Sequence, residues 1–266
     1  MQDVFFSDWG RLDYKTAWDR QEGLLRGNLE VKALRRERES GAGNEESGAV
    51  SPGHENDPLK TVNHLVFVEH PHVYTLGKSG KIEHVLIGEQ ERAEKQVDFF
   101  YTNRGGDITY HGPEQLVAYP VMDLELFYTD IGRYLRSLEE VIIRTMAEYG
   151  LKGERSAGET GVWMEPDTKG RERKICAMGI RCSRWITMHG LAFNINNDLK
   201  YFDYIIPCGI QNKQVTSLQK ELGRPADMEE VKEKVKRNFE EVFDVQLLTG
   251  PSLPTFSSSA APSSSV

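Results

Sequence analysis

Apolar residues recur along this chain with two periods, and the period changes where glycine, proline or asparagine intervenes. After Asp13, which can cap a helix, Tyr14, Ala17, Trp18, Leu24, Leu25 and Leu29 recur at helical spacing up to a charged end at Arg35 to Glu39. From Ser40 to Pro58 the chain turns to Gly, Ser, Asn, Glu and Pro. That composition cannot bury enough surface to offset its ordering entropy, so the segment is read as a flexible insertion, not a domain boundary. Runs of branched and aromatic residues at Val62 to Glu69, Val73 to Leu76, Val97 to Thr102 and Leu116 to Leu124 predict strands that build a sheet.

Between Asp130 and Gly150, the positions Ile131, Tyr134, Leu135, Leu138, Val141, Ile142, Thr145 and Met146 follow the helical period, with Asp130 as cap and Gly150 as terminator. Gly161 to Glu165, Lys174 to Cys182 and Thr187 to Ile195 then read as three strands in succession, which predicts antiparallel hairpins rather than alternating βαβ units. A last amphipathic helix uses Met228, Val231, Val235, Phe239 and Val242, and the Ser/Pro/Ala tail beyond Gly250 reads as disordered. The expected class is α+β, a mixed, mainly antiparallel sheet flanked by helices in one domain over residues 1–249.

Composition narrows the function classes. With 38% hydrophobic and 28% charged residues in a chain of 266, a core can form without disulfide or metal staples. A formal charge of -8 argues against general affinity for nucleic acid, which needs a basic face. Local basic clusters exist at Arg171, Arg173, Lys174, Arg181 and Arg184 and at Lys78 and Lys81, although a solvated charged face is the commoner outcome for such residues. Three cysteines, an odd number at spacings unlike common zinc sites, point to a reducing compartment. Met1 to Gly10 carries acids where a secretory signal would carry lysines, and no apolar run approaches a membrane span. The expected location is cytoplasmic.

Several residues could carry chemistry. Cys208 lies in Ile206-Pro207-Cys208-Gly209, where Pro and Gly force a turn after an apolar stretch. A thiol so presented can act as a nucleophile if a nearby cation favours its thiolate, although burial as a small hydrophobe is the commoner fate of free cysteine. Lys174 opens the apolar run Lys174-Ile175-Cys176-Ala177-Met178-Gly179-Ile180. Such lysines usually snorkel, but partial burial would suit this one to proton exchange with a thiol and later an amine. Arg104-Gly105-Gly106-Asp107-Ile108-Thr109-Tyr110-His111-Gly112-Pro113 is read as a connection between two strands, its paired glycines allowing a substrate close to the backbone. His189-Gly190-Leu191-Ala192 repeats the idea, a histidine followed by small and apolar residues.

Together with Glu69-His70-Pro71-His72-Val73-Tyr74-Thr75-Leu76-Gly77 and Gly161-Val162-Trp163, these stretches closely resemble the lipoyl(octanoyl) transferase family, relatives of biotin and lipoate protein ligases. Several independent motifs in order, from about Leu65 to Leu218, are more specific than any one of them. The resemblance implies a biotin/lipoate protein ligase-like fold and an acyl-thioester intermediate on Cys208, with Lys174 assisting in proton transfer. It implies an acyl site lined by Arg104 to His111, Ala177 to Gly179 and Gly190 to Ala192. It also implies octanoyl acyl carrier protein as donor, and as acceptors the lipoyl domains of 2-oxoacid dehydrogenase complexes and the glycine cleavage H protein. No cofactor, metal, nucleic acid or membrane is expected, and the chain is expected to be a monomer. Backbone N–H groups near Gly179 or His189 are candidates for holding the oxyanion.

Where that family reads His-Gly-Pro-Gly-Gln, this chain has Glu114, which can alter the turn or bring a carboxylate near the site. Strict strand alternation puts Lys174 and Cys176 on one face with Ala177 and Gly179 on the other, a conflict that a bulge would remove. Rival readings are an ATP-dependent lipoate or biotin ligase, a cysteine hydrolase pairing Cys208 with His111 or His189, and a metal site from His70, His72, His84 and His111. A non-catalytic scaffold for carrier domains would need no reactive thiol.

Overall fold

A computed structural model of the chain describes residues 1–41, 59–206 and 214–249. Cys208, most of the expected insertion and the expected tail lie outside the described residues.

The alternation of Leu65 and Phe67 with Val66 and Val68 shows how the layers form. Successive side chains of strand β2 (Asn63–Glu69) point to opposite faces, and both faces are apolar because both are covered. On one side lie helices α3 (Ile131–Ala147) and α5 (Met228–Phe243), which bury Tyr134, Leu138, Ile142, Val235 and Phe239 against the sheet. On the other side helix α1 (Tyr14–Gly41) contributes Ala17 and Leu25. Asp130 caps α3 by accepting from the N–H of Arg133 at 2.9 Å, and Asp227 caps α5 in the same manner. Asp13 accepts from Thr16 N–H at 2.8 Å at the start of α1, which runs through Ser40 rather than ending in the predicted charged stretch.

Strands β1 (Gln2–Arg11) and β11 (Val245–Thr249) belong to segments without a predicted element. They pair parallel with each other, and β1 pairs parallel with β2. Beyond β2 come β6 (Gln115–Val121), β9 (Ile186–Asn194) and β8 (Arg173–Ser183), all antiparallel. The outer edge of β8 carries β7 (Val162–Met164), while β10 (Gln214–Val215) runs parallel to its first residues. The expected hairpin of β8 and β9 is therefore present, in a mixed and mainly antiparallel sheet.

The predicted strands do not all build one sheet. Strand β3 (Val73–Leu76) pairs with β4 (Asp98–Tyr101) and β5 (Ile108–His111) in a separate three-stranded sheet. The bend at Pro71-His72 separates β3 from β2, and the segment read as a connection contains β5 itself. Helix α2 (Glu89–Glu94), helix α4 (Leu218–Leu222) and short 3-10 turns at Ile82–His84, Leu124–Leu126 and Leu199–Tyr204 complete the described chain.

Glu114 occupies the turn from β5 to β6 with φ of 62°, a left-handed conformation that glycine adopts without steric cost. Its side chain is exposed, and its N–H donates to the Glu69 carboxylate at 2.8 Å. The departure from the His-Gly-Pro-Gly-Gln pattern thus puts backbone strain in the turn, with the carboxyl group facing solvent. Glu114→Gly relieves about 1–2 kcal/mol of that strain and gives back about 0.4–1 kcal/mol in unfolded-chain entropy. We therefore expect thermal denaturation of the variant to shift upward by roughly 1–4 °C; a lower melting temperature would contradict the strain assignment.

Candidate active site

The small sheet lies over the α1 face of the large one, and the space between them is a cleft of about 950 Å³, its open mouth included. Its floor is set by residue size. Ala177 pairs with Ala192 and Gly179 with Gly190 across β8 and β9, and Val117 of β6 stands beside Ala192. The loop of Arg104 to Gly106 closes one end by backbone contact, Gly105 N–H donating to Ile180 O at 2.8 Å. A methyl carbon at position 179 would stand 2.7 Å from the Gly105 carbonyl oxygen, so only glycine lets the two backbones meet there.

Lys174 lines the same cleft because β8 is irregular at its start. On β7, Trp163 pairs with Lys174 and Val162 with Cys176, leaving Ile175 without a partner in the register. Ile175 and Cys176 both enter the core beneath α3, as consecutive side chains do at a bulge. The extra residue returns Lys174 to the face that carries Ala177 and Gly179, which resolves the alternation conflict. Cys176 is fully buried, and burial together with the Glu139 carboxylate pushes its thiol well above the ordinary range while Lys174 pulls the other way. A neutral core thiol is its chemical state.

A directed chain of hydrogen bonds runs behind the cleft. Arg104 donates to Thr75 Oγ1 at 2.9 Å and to Thr75 O at 2.6 Å. Thr75 Oγ1 faces His111 Nε2 at 3.4 Å, and His111 Nδ1 donates to Gln115 Oε1 at 2.9 Å. Gln115 donates to Asn194 Oδ1 at 2.9 Å, and Asn194 donates to Thr216 O at 3.0 Å. Thr216 N–H closes the chain on Lys174 O at 2.9 Å. Because the Gln115 oxygen can only accept, His111 carries its proton on Nδ1, and every donor in the run points the same way. The strand bearing Lys174 is thereby tied to the arginine loop at the opposite end of the cleft.

The histidines of this region are held neutral. Burial, with Arg104 nearby, pushes His111 well below its ordinary value and His189 down to about 3. Burial takes His70 to about 4 despite its bond to the Leu12 carbonyl. His189 Nε2 donates to Asn103 Oδ1 at 2.7 Å, and its backbone N–H donates to Gln21 at 2.9 Å, so that N–H is already engaged. Among the described lining residues the cations are therefore Arg104 and Lys174, and the anion is Asp107, which pairs with His84 at 2.6 Å.

Of the sequence-predicted site residues, Lys174, Arg104, Gly106, Asp107, Ile108, Thr109, His111, Ala177, Met178, Gly179, Gly190, Leu191 and Ala192 meet in this cleft. Gly105 and Tyr110 do not line it. Gly105 is spent on the contact with Ile180, and Tyr110 is buried against Tyr201 with its hydroxyl on His72 Nδ1 at 2.7 Å. Cys208 lies outside the described residues, whose chain stops at Ile206 and resumes at the cleft with Gln214 and Val215. The structure adds Tyr14, Tyr119, Trp163 and Phe202 to the lining. Trp163 was legible in the Gly161-Val162-Trp163 motif; the others sit on remote segments with no local signal.

The four histidines weighed as a metal set do not converge. His70 meets the His111 ring edge-on at 5.8 Å but spends its two nitrogens on Leu12 O and the Tyr119 hydroxyl, His111 Nδ1 is held by Gln115, His72 stacks on Tyr201, and His84 faces Asp107, so among the described residues no three of them form a metal set. The basic cluster is similarly dispersed: Arg171 and Arg173 pair with Glu165, and Arg181 with Glu22.

Comparison with known proteins agrees with this layout. The profile of the lipoyl protein ligase A/B catalytic domain matches residues 54–240. An octanoyltransferase of Christiangramia forsetii is 51% identical over 92% of this chain and 98% of its own length. The chain belongs to the octanoyltransferases of the lipoyl protein ligase A/B catalytic family. An octanoyltransferase of Bacteroides fragilis is 46% identical over 87% of this chain and 94% of its own. This family member also shares its fold with solved lipoate protein ligases. A bipartite ligase of Thermoplasma acidophilum superposes with a TM-score of 0.63 at 14% identity, over 94% of this chain and 87% of that one. Lipoate-protein ligase A bound with ATP gives 0.61 at 13% identity, covering 94% and 89%. The octanoyltransferase assignment makes the protein an acyltransferase. None of its described helices is long and apolar enough to cross a membrane.

The neutral histidines have a measurable consequence. A buried histidine whose folded value lies below its unfolded value binds fewer protons when folded, so its stabilising contribution is present above about pH 6.5 and is lost as pH falls toward the folded value. For His70 and His189 that window runs from about 6.5 down to about 4 and about 3. Urea denaturation should therefore show stability declining from pH 7 to pH 5, each histidine contributing of order 1 kcal/mol per pH unit within its window. A flat profile would mean that these rings are not held neutral.

Proposed function

We propose that this enzyme transfers an octanoyl group from octanoyl acyl carrier protein to a lysine of lipoyl domains, through a thioester on Cys208. The observation that carries the reading is the union in one cleft of a floor of small residues with a lysine at its side. An eight-carbon chain needs a narrow apolar slot, and the methyl-sized side chains of Ala177 and Ala192 leave room for one. Relatives at up to 51% identity are octanoyltransferases.

In the first step the Cys208 thiolate attacks the thioester carbonyl, and the carrier's thiolate leaves. Lys174 as an ammonium favours the attacking thiolate and can protonate the leaving one. The second step reverses the roles. A lysine amine of the lipoyl domain attacks the acyl-enzyme, neutral Lys174 accepts its proton, and the Cys208 thiolate departs. Exchange of one thioester for another is nearly balanced and aminolysis to an amide runs downhill, so the cycle calls for no nucleotide. The lipoyl-domain acceptors are those of the 2-oxoacid dehydrogenase complexes and the glycine cleavage H protein.

Intact-mass analysis after incubation with octanoyl carrier protein, without ATP, should show one octanoyl group on the enzyme and its loss on adding apo lipoyl domain. Cys208→Ser should carry none; full acylation of that variant would remove the thiol from the reaction. Lys174→Ala should retain its fold and lose roughly 100-fold or more in turnover, whereas unchanged turnover would exclude Lys174. A strict ATP requirement would favour a ligase instead.

A further inference from the structure

The Gly161-Val162-Trp163 segment has no part in the transfer steps above, yet two contacts tie it to Lys174 and a third anchors it to α3. The Lys174 ammonium lies over the Trp163 ring, 4.5 Å from its centroid. Gly161 passes directly behind the lysine stem: a carbon added there would stand 3.5 Å from Lys174 Cε and 2.5 Å from Cys176 O. With φ of 117°, that position holds a backbone conformation side chains rarely adopt. The N–H of Gly161 donates to Glu139 Oε1 at 2.9 Å. Glu139 is fully buried on α3, and its other oxygen accepts from Arg136 at 2.6 Å and Arg155 at 3.1 Å.

These contacts form a stack of dependence. The two arginines hold the carboxylate, the carboxylate holds Gly161, and β7 then carries Trp163 to the one place where its face meets the ammonium. Trp163 is itself 2% exposed and lines the cleft, so its ring has little freedom to turn away. The negative face of an indole attracts a cation, most strongly where water is excluded. A lysine stem has four rotatable bonds, and the indole selects among their rotamers the ones that keep the nitrogen over its face.

We propose that Trp163 is a positioning residue for Lys174, its indole face holding the ammonium at the cleft wall, with Glu139 fixing the strand that presents it. This inference rests on the reading of Lys174 as a participant in acyl transfer. A residue that acts through Lys174 should matter only while Lys174 is present, which a merely structural role for Trp163 would not require.

The test is a double-mutant cycle in the full chain, measuring steady-state octanoyl transfer from carrier protein to apo lipoyl domain. Trp163→Leu should lower kcat by about 5- to 30-fold with KM within about twofold, and Trp163→Phe, which keeps an aromatic face, should recover most of the loss. In a Lys174→Ala background, Trp163→Leu should cost less than about twofold. Circular dichroism and melting curves check the fold; if Trp163→Leu is unfolded, Trp163→Met takes its place in the same cycle. An equal loss with and without Lys174, or no rescue by Phe, overturns the positioning role while leaving the functional reading intact. Wild-type turnover of Lys174→Ala alone would instead remove the functional reading, and this inference with it.

Discussion

Two backbones can lie against each other only where side chains are missing, and the cleft of this protein depends on that constraint. Gly105 reaches the Ile180 carbonyl because Gly179 beside it has no Cβ to obstruct the approach. Gly77 likewise admits the carbonyl of Gly106, and Gly190 sits directly on the backbone of Ala118. The contact of Gly105 with Gly179 and Ile180 brings the arginine loop down on the large sheet and bounds the slot above Ala177 and Ala192. A side chain at Gly179 would push the arginine loop off the large sheet, whereas one at Gly77 would crowd that loop itself and one at Gly190 would force β9 away from β6.

The electrostatics of the site follow from the same close packing. Burial leaves His70, His111 and His189 neutral, so they serve as oriented dipoles rather than charges. Their protons are assigned by acceptors that cannot donate, and the run from Arg104 to the Lys174 carbonyl keeps one direction throughout. Such a network is costly if any member is unsatisfied, and so it resists rearrangement. It ties the strand that bears Lys174 to the arginine loop at the other end of the cleft.

The site also shows how a local irregularity is used. A regular β8 would send Lys174 into the core beside Cys176, where a cation would face Glu139 and the apolar side chains of α3. The bulge at Ile175 exchanges that arrangement for two apolar side chains inward and the ammonium at the cleft. The hydrophobic burial of Ile175 and Cys176 and the avoided burial of a charge act in the same direction, which is why the irregularity is stable.

Residue order alone determined the elements whose signal is periodic and local. The apolar repeats of α3, with its cap Asp130, and of α5 were legible, as were β3 and the strands of the β8–β9 hairpin, because each needs only neighbours within a few residues. The motifs around Arg104, Lys174 and Gly190 were legible as chemistry for the same reason. Tertiary structure decided what depends on distant partners: the pairing of β1 with β11, the departure of β3 to a second sheet, and the side of β8 on which Lys174 stands. It also decided that Tyr14, Tyr119 and Phe202, far apart in sequence, share one cleft. Period and composition describe a segment's own preferences, whereas register, layer order and a bulge are chosen by the free energy of burying surfaces that the segment meets only when the whole chain has folded.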